Sequence, residues 1–338
     1  KPRPSYILAR GEFNAKRTEE NKVSRDSPSF LLPFPKDAPR DRLGLAQWLT
    51  QPNHPLTSRV YVNRIWQQFF GKGLVGTTEN FGLQGDLPTH PELLDWLSRD
   101  LVNHKWSTKH LVKRIALSAT YSQRSALTPE LQSRDISNNF LARGPSHRLS
   151  GEAIRDSALL SSGLLSTQQG GPPVRPYDPL YNAKPNATHT NRRSLYSFWR
   201  RTKPQNNMLI FDKPSLEICS VKRSVTNSPT QALVLLNDPQ FTEAARHLAT
   251  SLMKSEGTDE ARIKTAWKKV TSNEVTDSQL HLLTEILNEQ KATFKENPES
   301  AKKLCPSIKG EDINQVKTAA LTVTCQAIYN TDAAIWKR

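Results

Sequence analysis

The stretch FDKPSLEICSVKRSVTNSPTQALVLLNDP, residues 211–239, contains the most readable structural boundary in the chain. Ser228 is suited to a helix N-cap, Pro229 fits the first helical position, where a missing N–H is harmless, and Gln231 completes an S-x-x-Q capping box. These signals predict a helix buried through Ala232, Leu233, Val234, Leu235 and Leu236. Ahead of it, Asp212 and Arg223 flank Cys219, with Thr226 and Asn227 close behind and Asn237 beyond. Polar side chains gathered before a buried helix commonly tie an irregular segment to a helical core. Asp212 and Arg223 are equally candidates for binding a ligand.

Toward the N-terminus, Gly170-Gly171-Pro172-Pro173 breaks the chain into an irregular or strand-bearing section that lasts to Asn227. Helices are predicted over 147–165, from a Ser107 cap through Leu111 and Ile115, and from a Thr89/Glu92 capping box through Leu93, Leu94, Leu97 and Leu101. Leu43, Ala46 and Leu49, then Leu56, Val60, Asn63, Trp66 and Phe70, recur at three- and four-residue steps. They predict two amphipathic helices broken across residues 52–55, the second ended by Gly71 and Gly73. Toward the C-terminus, helices are predicted around 260–270, from a Thr276/Gln279 cap, and over 312–329. The fold class is therefore mainly α, a multi-helix domain with a small β/coil insertion at about 171–227. Residues 1–40, punctuated by Pro2, Pro4, Pro28, Pro33, Pro35 and Pro39, read as an extended arm. Residues 41–254 read as the helical core and 255–338 as a C-terminal helical subdomain packed on it.

Forty-seven Lys plus Arg against 32 Asp plus Glu leave a net charge of +15, which invites an acidic partner or simply favours solubility. Between Pro179 and Phe211 lie six basic residues, Lys184, Arg192, Arg193, Arg200, Arg201 and Lys203, and no acidic one. Tyr181, Tyr196, Phe198 and Trp199 are interleaved with them. Arginines beside aromatic rings can hold phosphate, sulfate or carboxylate while the rings stack on sugars or bases. The same alternation also suits a two-sided buried strand, with Tyr196 and Phe198 opposite Leu195 and Trp199. No helix-turn-helix, zinc-finger or RNA-recognition signature accompanies it, which argues against nucleic acid.

Cys219, Cys305 and Cys325 stand far apart and form no C-x-x-C-H, so no covalent haem is expected on this chain. Free thiols, or one disulfide and a spare, both fit three cysteines. Neither a secretory h-region nor an 18-residue apolar run is present, so no membrane span is expected. The start at Lys1, without Met, suggests a processed piece of a longer protein. H-E-x-x-H, G-x-S-x-G, the P-loop and the dinucleotide fingerprint are missing, which argues against the familiar hydrolases, kinases and dehydrogenases. No metal site is expected.

Three groups of residues could carry chemistry. On the 147–165 helix, Arg148, Glu152, Arg155 and Asp156 fall at i, i+4, i+7 and i+8 on one face, as an ion-pair ladder, an anion clamp or an acid/base carboxylate tuned by arginines. Asn63 and Arg64, beside Trp66, could bind a ligand, or Asn63 could satisfy buried backbone groups. His90, approached through Gly82 and Gly85, could be a general base, a lone metal ligand or a hydrogen-bonded turn residue. His90, Glu152 and Asp156 are the catalytic candidates.

The blocks RLGLAQWL (42–49), NHPLTSRVYVNRIWQQFFGKGLV (53–75), FGLQGDLPTHPELLDWL (81–97), LSATYSQRS (117–125), HRLSGEAIRD (147–156), RRSLYSFWRRT (192–202) and NTDAAIWKR (330–338) occur in family order. With the 211–239 stretch, they make the chain resemble the planctomycete cytochrome-associated domain of unknown function, number fifteen-fifty-three. That resemblance implies an extracytoplasmic module, periplasmic or secreted, beside a cytochrome-like domain or partner that would carry any haem. It assigns no reaction. The functional expectation is a module that binds an anionic polymer such as a glycan; the alternatives are a polysaccharide-acting enzyme using an Arg/carboxylate/His site, and a structural scaffold of a larger secreted protein.

Overall fold

A computed structural model describes residues 3–10, 12–175, 191–202, 204–306 and 314–337. Tyr181, Lys184, Lys203 and the expected start of the last helix at Asp312 lie outside the described residues. The fold is mainly α, and the chain divides into two compact units, Lys1–Ser122 with Asp135–Ala142, and Gln123–Arg134 with Arg143–Arg338.

In the first unit, β1 (Ser5–Tyr6) and β2 (Lys22–Val23) make a short antiparallel pair ahead of α1 (Arg42–Leu49), α2 (Thr57–Phe70), α3 (Pro91–Asn103) and α4 (Thr108–Ala116). Val62, Trp66 and Phe70 of α2 meet Leu94, Leu97 and Leu101 of α3 and Leu111 and Ile115 of α4 in one apolar core. Trp66 and Phe70, one helical turn apart, stack with centroids 4.1 Å apart. Gly71 ends α2 in the left-handed region (φ 77°). Two residues on, a side chain at Gly73 would lie 2.6 Å from the Asn63 amide, so only glycine admits the Asn63 bonds to Val75 N and O.

The second unit holds α5 (Pro129–Arg134), β3 (His147–Arg148), α6 (Gly151–Ser161), α7 (Asn206–Ile210), α8 (Pro229–Asn237), α9 (Pro239–Met253), α10 (Asp259–Thr271), α11 (Asp277–Glu296), α12 (Pro298–Leu304), α13 (Gln315–Tyr329), α14 (Asp332–Ile335) and β4 (Trp336–Lys337). β4 returns to pair antiparallel with β3. Helix α13 packs on α9 and α11 and is buried on most of its surface. Its threonines are tolerated there because Thr318, Thr322 and Thr324 each donate to the carbonyl four residues earlier, leaving no orphan hydroxyl. The expected boundary at 254/255 falls within this unit, between α9 and α10, which share one core.

Several local expectations are corrected. Helix α1 turns Gly44 and Trp48 inward and leaves Leu43 61% exposed, because Trp48 anchors to Leu32 O and Gly44 lets the Pro39 carbonyl approach. Helix α3 starts after His90, and Thr89 bonds Leu74 O instead of capping it. The 147–165 helix begins only at Gly151, capped by Ser150, because β3 takes its first residues. Residues 195–199 are no strand: Ser194–Tyr196 is a 3-10 turn, and Leu195 is exposed. Ser228 does precede α8, yet makes no side-chain cap bond, and Leu233 and Leu236 are exposed. Gln231 is drawn away from Ser228 to Ile210 O and Arg148. Helix α8 then ends at Asp238, whose carboxylate caps α9 through Gln240 N.

The caps give a paired prediction. Thr276 and Gln279 form a complete capping box on α11, so Thr276→Ala lowers stability by about 1 kcal/mol, whereas Ser228→Ala, which removes no cap bond, costs about a third of that or less. Thermal or urea melts giving equal losses at the two positions would contradict this assignment.

Candidate functional site

Gly151, the first residue of α6, is what lets the end of α7 close onto it: a Cβ there would lie 2.9 Å from that of Phe211. Asp212 follows in the left-handed region (φ 60°), one of the few non-glycine types that tolerate it. Its carboxylate accepts from Arg148 Nη2 (2.5 Å), Thr226 N (2.9 Å) and Thr226 Oγ1 (2.9 Å). The other Arg148 nitrogen donates to Gln231 Oε1 (3.0 Å) and Thr226 O. Arg148 thus works from β3, not from the face of α6.

Arg155, 2% exposed, is the deepest charge. It donates to Gln240 Oε1 (2.7 Å), Arg192 O (2.9 Å), Ser194 Oγ (3.1 Å) and Asp156 Oδ1 (3.2 Å). Burial pushes its guanidinium below the ordinary value, with Asp156 and then Asp238 opposing. Asp156 also accepts from Ser194 N (2.8 Å) and Ser194 Oγ (2.7 Å), with Arg193 Nε 4.0 Å away.

The third cluster is the most open. Glu152 is held by Arg223 (2.8 Å) and Lys213 (3.6 Å), and the Lys213 ammonium lies 4.2 Å from the centre of the Trp199 ring, whose Nε1 donates to Ser215 O. Burial drives Glu152 upward, but the bond from Arg223 and the charges of Arg223 and Lys213 prevail, and the carboxylate sits below its ordinary value. Asp212 follows the same logic: burial raises it, and Thr226 N, Arg148 and the Thr226 hydroxyl together lower it further.

The basic segment separates into two kinds of arginine. Arg192 is buried, donating to the carbonyls of Gln168, Gly170 and Pro172 and lying 3.9 Å from the Tyr196 ring centre; Tyr196 OH in turn accepts from Gly170 N. Arg193, Arg200 and Arg201 are exposed. In the first unit, Asn63 is buried against Val75, Arg64 is exposed, and His90 is half-buried with Nδ1 3.1 Å from Thr89 Oγ1. The three cysteines are free thiols, Cys219 exposed and the others buried.

Sequence reading missed Lys213, Ser194 and Gln240, which carry no motif and reach the site only through tertiary packing. It also missed Asp100, His104 and His110, a group among the described residues able to hold a metal, whose ligand atoms lie within 4.8 Å of one another. Their positions straddle the α3–α4 turn; the histidines stand at H-x5-H, half of a zinc spacing, which carries no signature without a second ligand pair.

The family model PSD1, described as a protein of unknown function (DUF1553), matches residues 41–287. The chain matches no curated protein and no solved structure at significance.

The depressed carboxylates fix a pH response. A folded-state value below the unfolded one, about 4 for Asp, adds stability at higher pH that is lost as pH falls through the folded value. Asp212→Asn is therefore less stable than the parent at neutral pH, and the gap closes on acidification. Melting curves across that range test it; a gap independent of pH would show that the Asp212 charge contributes nothing.

Proposed function

The chain belongs to the PSD1 family of proteins of unknown function (DUF1553), and from its surface chemistry we propose that it is a module that binds an anionic polymer, a carboxylated or sulfated glycan. The observation that carries this reading is the Glu152 cluster: a carboxylate gripped by Arg223 and Lys213, with Trp199 stacked beneath the ammonium. This is the recognition chemistry an acidic sugar requires, a charge-assisted clamp next to a ring on which a pyranose can lie. Arg193, Arg200 and Arg201 extend the positive charge along the adjoining segment, and the overall +15 draws polyanions from a distance.

The enzyme reading has less support. Glu152 is ionised and paired, which unsuits it as a proton donor, and Asp156 is engaged by Ser194 and Arg155. His90 belongs to the other unit. The scaffold reading accounts for Arg148, Arg155 and Arg192 but not for the exposed cations. An extracytoplasmic setting beside a cytochrome-bearing domain, with haem confined to that neighbour, belongs to this proposal through the family resemblance alone.

Replacing Arg193, Arg200 and Arg201 together by Gln weakens binding to heparin or polyuronate in calorimetric titration while leaving the melting temperature nearly unchanged. Added salt weakens the parent as well, since exposed charges are screened over roughly 8–10 Å near physiological ionic strength. Arg192→Gln instead destabilises the fold. A parent with no measurable glycan affinity, or one that prefers DNA at matched salt, would overturn the proposal.

A further inference from the structure

Outside the Glu152 cluster, the first unit gathers a second set of reactive side chains. Helix α3 ends at Asn103, and Lys105 (φ 53°) and Trp106 (φ 60°), both left-handed, reverse the chain directly into α4. The reversal sets His104 and His110 face to face, centroids 3.6 Å apart and planes 12° from parallel, over the carboxylate of Asp100, itself only 9% exposed. His110 Nε2 lies 2.8 Å from Asp100 Oδ2, and His104 Nδ1 lies 3.2 Å from Oδ1 and 2.8 Å from the Asp100 carbonyl. Arg114, 3.8 Å from Oδ1, is the remaining charge against this carboxylate among the described residues. His110 and Arg114 also line an open pocket of about 590 Å³ walled by Trp66, Trp96, Leu97 and Ile115.

We propose that Asp100, His104 and His110 form a binding site for a divalent transition metal of the zinc class, bordering this pocket. Two imidazole nitrogens and one carboxylate are the donor set such ions select, and hard cations such as magnesium or calcium do not. Three protein ligands leave a coordination position for water or a bound molecule. Each imidazole binds in its neutral form through the nitrogen that faces Asp100, so any proton on that nitrogen moves to the opposite ring nitrogen or to solvent. A shared ion must lie in the plane of each ring, so the near-parallel stack opens on binding; His104, whose side chain is 45% exposed, has room to turn. Without metal, the two imidazoles and Arg114 satisfy the buried carboxylate.

The test is titration of the full chain with Zn²⁺ alone by calorimetry, with Co²⁺ absorption reporting the donor set. The expected result is one saturable equivalent and a higher melting temperature with metal. His104→Gln and His110→Gln each weaken binding at least about 10-fold, a loss that even groups merely touching a ligand can cause. His281→Gln, whose side chain is exposed on α11, changes nothing. Melting curves of the metal-free variants confirm that they fold. Absence of saturable binding, or affinity undiminished in both ligand variants, would overturn the assignment.

Discussion

The second unit depends on one buried guanidinium. Arg155 sits on α6 and bonds at once to α9 through Gln240, to the returning segment through Arg192 O and Ser194, and to its neighbour Asp156. A charge this deep is tolerated only when its donors are matched, and removing one partner of such a pair commonly costs about 3–5 kcal/mol. The backbone of Glu152 is tied to this fixture: Asp156 holds Ser194, and Ser194 Oγ reaches the Glu152 carbonyl at 3.3 Å. The Arg148–Asp212–Thr226–Gln231 network does the same work at the other end of α6.

Burial therefore divides the arginines by role. Arg148, Arg155 and Arg192 spend their hydrogen bonds on carbonyls and carboxylates of the chain, while Arg193, Arg200 and Arg201 are exposed and Arg223, also exposed, gives one bond to Glu152. A guanidinium can serve as a structural cross-link because its planar fork meets several acceptors from different segments at fixed angles. Lys213 is intermediate: burial pushes its ammonium down, Glu152 pulls it up, and its placement over Trp199 offsets part of the hydration it loses.

What the sequence revealed was mostly local. Ser107, Thr276 and Gln279 announced their helices because cap bonds are made within four residues, and Trp66 and Phe70 announced the core of the first unit through their spacing. The same local rule failed at Ser228 and Gln231, where a distant arginine outbid the cap for the glutamine side chain. It failed again at Arg148, since β3 exists only because β4, far along the chain, comes back to pair with it. Of the 147–156 candidates, Arg155 and Asp156 pair with each other, Arg148 pairs with Asp212, and Glu152 pairs with Arg223 and Lys213. Lys213, Gln240 and the histidines around Asp100 were illegible because their partners are set by where helices cross or turn, which spacing alone does not encode.

The closure of the second unit also has a timetable. Tyr329 of α13 reaches Ser161 of α6 at 2.8 Å across 168 residues of chain. At a synthesis rate of about 5–20 residues per second, α6 waits roughly ten to thirty seconds after it is made for Tyr329, whereas α9, which packs along it, follows sooner. During that interval the Ser161 hydroxyl and the Ala158 carbonyl lack the phenol that both bond in the finished fold. Arg155, too, lacks its Gln240 acceptor until α9 is made. The net charge of +15 favours keeping such incomplete chains apart in solution.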